Sequence, residues 1–184
     1  MDLRSGFGRI DCELCDKANG DIFEKPACMT EFSSSLIAMD DTSHEPIPIT
    51  LVVEETWPAW RTQAGTYINT WIDSVQFLPK AGETCLVPGS DGRLANVLVG
   101  AGEKPDLWSL GRLPYHLPQG VYVLDAECAD VTVAGGISLG WALGAYQFSR
   151  YKAATRAPAQ LVVADGNALA DARRLASATY LVRI

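Results

Sequence analysis

From Ile49 onward, short apolar runs rich in β-branched residues alternate with segments whose apolar residues recur every three or four positions. That alternation restricts the chain to few architectures. "IPITLVVEE" reads as a buried strand carrying Ile49, Leu51, Val52 and Val53 and closing on glutamates. "TWPAWRTQAGTYINTWIDSVQF" spaces Trp57, Trp60, Tyr67, Ile68, Trp71, Ile72 and Val75 by threes and fours, which predicts one or two amphipathic helices with Pro58 in a first turn. "GETCLVPGSDGRLANVLVGAGE" predicts two strands, over 84–87 and 94–99, joined as a hairpin by the turn formers "PGSDG".

"DLWSLGRLPYHL" reads as a short helix with Leu107, Trp108 and Leu110 inward, stopped by Pro114, and "GVYVLD" as a strand. A helix across "GWALGAYQFSRYK" and a strand in "AQLVVAD" follow. The last helix, "NALADARRLASATYLVR", places Leu169, Ala172, Leu175, Ala176, Thr179 and Val182 on one face, with Asn167 capping its start. Strands and helices in this order predict an α/β fold: a three-layer αβα sandwich around a mixed sheet. At 184 residues, one domain and an extension is the natural division. The division falls at 45/46.

Residues 1–45 hold ten acids against four bases, whereas residues 46–184 are nearly neutral despite a total charge of −7. The first part lacks a sustained period and reads as an acidic, flexible extension. It has no apolar block of a secretory signal, and no run anywhere is long enough to span a bilayer, so the expected location is cytoplasmic with no membrane partner. Binding through nucleic-acid phosphates needs a basic stripe. Only Arg150, Lys152 and Arg156, or Arg173 with Arg174, approach one, and both read as solvated helix faces, so no nucleic acid is expected.

Within residues 140–152, Leu139, Leu143 and Tyr146 line one stripe of a helix and Trp141, Ala145 and Phe148 another, with Gly140 and Gly144 forming a groove between them. Each glycine costs about 1 kcal/mol relative to alanine, which is tolerable where another backbone approaches closely. This predicts a central packing helix. The rival reading makes "VAGGIS" a glycine-rich loop offering amides to a phosphate, although the Gly-x-Gly-x-x-Gly spacing is absent.

Catalytic chemistry has little to draw on. The two histidines, His44 and His116, lie in the extension and in a loop, and neither the Gly-x-Ser-x-Gly nor the His-Glu-x-x-His arrangement occurs. The acids Glu54, Glu55, Asp125, Glu127, Asp130 and Asp165 sit near strand ends without the companion lysine of a two-metal hydrolase. Cys12, Cys15 and Cys28 begin a zinc-like spacing that finds no clear fourth ligand, and the five cysteines read as reduced thiols. No catalytic, cofactor-binding or metal-binding residue is therefore assigned.

"GWALGAYQFSRYK", "FLPKAGETCLVPGSDGRLANVLVGAGE", "DLWSLGRLPYHLPQGVYVL" and the closing helix running into "YLVR" together resemble the N-terminal domain of the leucyl (cytosol) aminopeptidase family over about 48–183. The resemblance implies a macro-domain-like topology and a non-catalytic role in oligomer assembly, substrate access or stability. It also implies a separate C-terminal domain, in the same polypeptide, that holds two divalent metals (Zn or Mn) and cleaves N-terminal residues from peptides in a hexamer. The family's metal ligands and its Asn-Thr-Asp-Ala-Glu-Gly-Arg signature belong to that domain, so this chain alone is expected to be inactive and without a cofactor of its own. The alternative is a free-standing macro-like module that binds a nucleotide or an ADP-ribose-type ligand through "VAGGIS".

Overall fold

The structure is a computed structural model that describes residues 35–42, 45–125, 131–147 and 156–181. The readings made of Cys12, Cys15, Cys28, His44, Glu127, Asp130, Phe148, Arg150, Lys152 and Val182 lie outside the described residues. Among the described residues six strands form one sheet: β1 (Leu36–Ala38), β2 (Ile47–Val53), β3 (Thr84–Pro88), β4 (Leu94–Gly102), β5 (Val121–Leu124) and β6 (Gln160–Val163). Their spatial order is β1-β6-β5-β2-β4-β3. Every pair is parallel except β3 with β4, which forms the expected hairpin.

The helices are α1 (Trp57–Gln63), α2 (Thr66–Val75), α3 (Leu113–His116), α4 (Val131–Gly144) and α5 (Gly166–Leu181), with a 3-10 turn over Met39–Asp41. Alternate residues of the central strands feed two cores. Ile49, Leu51, Val97, Val99, Tyr122 and Leu161 meet α4 and α5 through Ile137, Trp141, Leu169, Ala172, Ala176 and Tyr180. On the opposite face Cys85, Val87 and Leu98 meet Ile72 and Phe77, with Trp57, Trp60, Ile68 and Trp71 packed around them. Helices on both faces of a mixed sheet make the three-layer α/β sandwich that the element order predicts. The continuous apolar character of "LVV" and "VLVGA" follows, because strands covered on both faces need no polar alternation.

The aromatic segment resolves into two helices, parted at Ala64 and Gly65. The Asn69 side-chain amide donates to the carbonyls of Arg61 (2.9 Å) and Ala64 (2.8 Å), so the second helix satisfies the orphan end of the first. Arg61 returns the contact, donating to Asn69 Oδ1 at 2.9 Å and pairing with Asp73 at 2.8 Å.

Four readings change in the structure. The sheet takes in Leu36–Ala38, from a stretch to which sequence alone gives no element: Leu36 is fully buried and pairs with Leu161. Residues 107–112 are turns rather than helix, and Pro114 sits in the first turn of α3 instead of ending a helix. Trp108 is accordingly 59% exposed, while Leu110 is buried. The central helix runs from Val131 to Gly144, about ten residues earlier than "GWALGAYQFSRYK" suggests at its start, and Tyr146 lies beyond its end. Finally, α5 buries Leu169, Ala172, Ala176 and Tyr180, leaving Leu175 at 48% exposure. Its first turn is capped by Asp165, whose carboxylate accepts the Asn167 N–H at 2.9 Å.

Candidate functional site

The carboxyl ends of parallel strands are where open α/β sheets place ligands. Here the ends of β5 and β6, the first two turns of α4 and the first turn of α5 line a cleft of about 240 Å³. Val123, Leu124, Ala134, Ile137, Val163 and Ala168 make its wall apolar, and the small side chains of Ala134 and Ala168 leave the space. The polar side chains that line it among the described residues are Ser138 and Asp165. The Ser138 hydroxyl donates to the Ala134 carbonyl one turn back at 2.8 Å, and Asp165 Oδ1 is taken up in capping α5. Among the described residues no basic side chain lines the cleft to meet a phosphate.

The glycine-rich segment does not form the phosphate loop of the rival reading. Gly135 and Gly136 lie inside α4, beyond its first turn, so their amides belong to the intrahelical ladder. The apolar neighbours of these glycines drive the segment into a buried helix despite the helix propensity lost at each one.

Gly140 and Gly144 do meet the condition set by their spacing. A Cβ built on Gly140 would land on the Leu107 carbonyl oxygen, and one on Gly144 on the Gly111 carbonyl oxygen. The turns over 107–112 thus rest directly on the backbone of α4. Tyr115 adds a hydrogen bond from its hydroxyl to the Ala145 carbonyl at 3.1 Å.

The other residues weighed in the sequence are dispersed. His116 is exposed at the end of α3, and Glu54 and Glu55 are exposed in the turn after β2. Arg156 donates to the carbonyls of Leu117 (2.8 Å) and Tyr115, tying the segment before β6 to the end of α3. Arg173 donates to the Leu36 carbonyl at 2.7 Å, and Arg174 pairs with Asp171 at 3.0 Å. Among the described residues no three His, Cys, Asp or Glu side chains gather closely enough to hold a metal ion.

One polar cluster escapes the sequence reading. Thr50, 5% exposed, places its hydroxyl 3.3 Å from Asp125 Oδ2 and 3.3 Å from the Asn96 amide nitrogen, bridging β5, β2 and β4. A threonine inside "ITLVV" and an asparagine inside "LANVLV" are its only signals, each a polar residue interrupting an apolar run.

Two buried groups titrate abnormally. Burial pushes the Cys85 thiol up, partly offset by a hydrogen bond from Trp71, and burial pushes the Tyr122 phenol up against the opposing charge of Arg156. Both therefore stay neutral through the physiological range, so neither supplies a thiolate or phenolate nucleophile.

No curated protein sequence matches the chain. Among solved structures, the cytosol aminopeptidase from Coxiella burnetii is similar over 78% of this chain, with a TM-score of 0.70 and 23% identity. Two structures of the bottromycin maturation enzyme BotP, one in complex with Mn, are similar over 74% and 73% of the chain at TM-scores of 0.51 and 0.52, with 18% and 20% identity. The chain spans 31% of the length of the Coxiella enzyme and 30% and 31% of the BotP chains. No helix among the described residues is long and apolar enough to cross a membrane. The profile of the M17 aminopeptidase N-terminal domain matches residues 47–164, from the first residue of β2 to just past β6, and the chain belongs to that family.

Proposed function

We propose that this chain is the non-catalytic domain of a leucyl aminopeptidase-like metallopeptidase, supporting oligomer assembly, substrate access or the stability of a two-metal catalytic domain. The observation that carries the reading is the family match over 47–164, which is to the N-terminal domain specifically. The described residues do not suit the two divalent ions of such an enzyme, because their carboxylates are dispersed or engaged in capping. The metals, Zn or Mn, are accordingly assigned to the catalytic domain, and no step of peptide hydrolysis is placed on this chain.

What the described residues supply is a rigid platform. The sheet carries a helical layer on each face, and the tight seating of 107–112 on α4 fixes one surface of it. The partners that fit are the catalytic domain of the same polypeptide and further copies of the chain, with peptides as substrates of the whole enzyme.

The test is an assay of the pure chain with leucine p-nitroanilide in the presence of Mn or Zn. The expected result is no release of p-nitroaniline above the buffer rate. Metal-dependent turnover that a chelator abolishes would overturn the non-catalytic assignment.

A further inference from the structure

The outer edges of an open sheet present unpaired backbone groups that invite another strand. In an antiparallel pair, residues alternate between turning both backbone groups to the partner strand and turning both outward. The Gly100 N–H donates to the Glu83 carbonyl at 2.9 Å, which turns Glu83, Cys85 and Val87 toward β4 and Thr84 and Leu86 toward the open edge.

That edge is covered by side chains of α2. The Leu86 carbonyl accepts the indole N–H of Trp71 at 2.9 Å, and the Pro88 carbonyl accepts the Tyr67 hydroxyl at 3.0 Å. Pro88 has no N–H to offer an incoming strand. Tyr67 and Trp71 are four residues apart on α2, so one helix face reaches both carbonyls.

The opposite edge is treated in the same way. The Ser35 carbonyl accepts the Leu161 N–H at 2.8 Å, so in the parallel ladder the backbone groups of Leu36 point away from β6. The Leu36 carbonyl accepts Arg173 Nη2 at 2.7 Å. Arg173 reaches it from α5, the last helix.

We infer that Tyr67, Trp71 and Arg173 close the two outer strands of the sheet, as the described residues form it, against strand addition by a second copy of this chain. A second copy is the relevant occupant because it presents the same β3 edge, which can pair with itself antiparallel about a twofold axis. Apolar side chains beside that edge would hold such a contact: Leu86 is 41% exposed and Tyr67 55% exposed. Contacts between copies are thereby directed to helices and loops. The inference stands independently of the aminopeptidase reading.

The test is the double variant Tyr67→Phe/Trp71→Phe, which keeps an aromatic ring at each position and removes the two donors. Sedimentation velocity over a concentration series should show self-association about tenfold stronger than in the parent, since two carbonyls regain pairing capacity. Adding Leu86→Lys, a charge on the freed edge, should return the distribution to that of the parent. A natively folded double variant that sediments like the parent would overturn the inference, as would association that Leu86→Lys leaves intact. Should the double variant fail to fold, Trp71→Phe alone, read against its own unfolding curve, decides between the same outcomes.

Discussion

Gly144→Ala will destabilise the domain by about 2–3 kcal/mol, although alanine is the better helix former by about 1 kcal/mol. The added methyl would meet the carbonyl oxygen, carbonyl carbon and Cα of Gly111, all backbone atoms that cannot rotate away. Gly111 is itself held: its N–H donates to the Trp108 carbonyl at 3.0 Å, and the neighbouring Leu110 is fully buried. Gly140→Ala meets the Leu107 carbonyl in the same way, so the double variant should lose more than either single change. The control lies in the same helix. Built Cβ atoms on Gly135 and Gly136 meet nothing within 4 Å among the described residues, so alanine there should stabilise by about 1 kcal/mol at each position. Urea unfolding followed by circular dichroism reads all of these variants, and equal effects at the two glycine pairs would refute the close-approach account.

Trp141→Ala should be comparably severe or worse, at about 3–5 kcal/mol. Trp141 is fully buried and heads the large side chains of the main core, and its ring centroid lies 6.4 Å from that of Tyr122. Its indole N–H donates to the Ser35 carbonyl at 3.1 Å, linking the last turn of α4 to the start of β1. That carbonyl also accepts the Leu161 N–H, so truncation leaves it paired and the loss is mainly a cavity. Trp141→Phe, which keeps most of the volume and forfeits the hydrogen bond, should lose only about 1 kcal/mol. Against a net stability of about 5–15 kcal/mol for a domain, the alanine variant should be partly unfolded on mild heating. A thermal midpoint equal for the alanine and phenylalanine variants would contradict this ranking.

The elements that periodicity identifies, β2 to β6, α1, α2 and α5, are those whose apolar residues meet a core close to them in space and regularly along the chain. Leu36–Ala38 is different, because three residues carry no period and their pairing partner Leu161 lies far along the sequence. The misreading of residues 107–112 also has a local cause. Asp106 accepts the Trp108 N–H at 2.9 Å and Ser109 accepts the Asp106 N–H at 2.9 Å, a pair that caps a first turn. The backbone bonds that follow reach back only three residues, from Ser109 to Asp106 (3.2 Å), Gly111 to Trp108 (3.0 Å) and Leu113 to Leu110 (3.0 Å), so the chain stays in successive tight turns. Trp108 therefore turns outward although its spacing from neighbouring leucines suits a helix face.

At the site level the glycine spacing was readable because steric exclusion leaves a mark in the residue type itself. The Thr50–Asn96–Asp125 cluster was not, since it forms only when three strands lie side by side. The same holds for the covered sheet edges: nothing local distinguishes Tyr67, Trp71 or Arg173 from other polar-tipped residues of amphipathic helices. Their roles arise from carbonyls on strands that pairing brings beneath them.

The central claim, that this chain works as the N-terminal domain beside a two-metal catalytic domain, is tested most directly on the native polypeptide purified from its own cells. Its intact mass and its hydrolysis of leucine p-nitroanilide should be measured on the same sample. The account predicts a polypeptide more than twice the 19.9 kDa of this chain, with aminopeptidase activity that a chelator removes and Mn or Zn restores. A sole species of 19.9 kDa without such activity would contradict it.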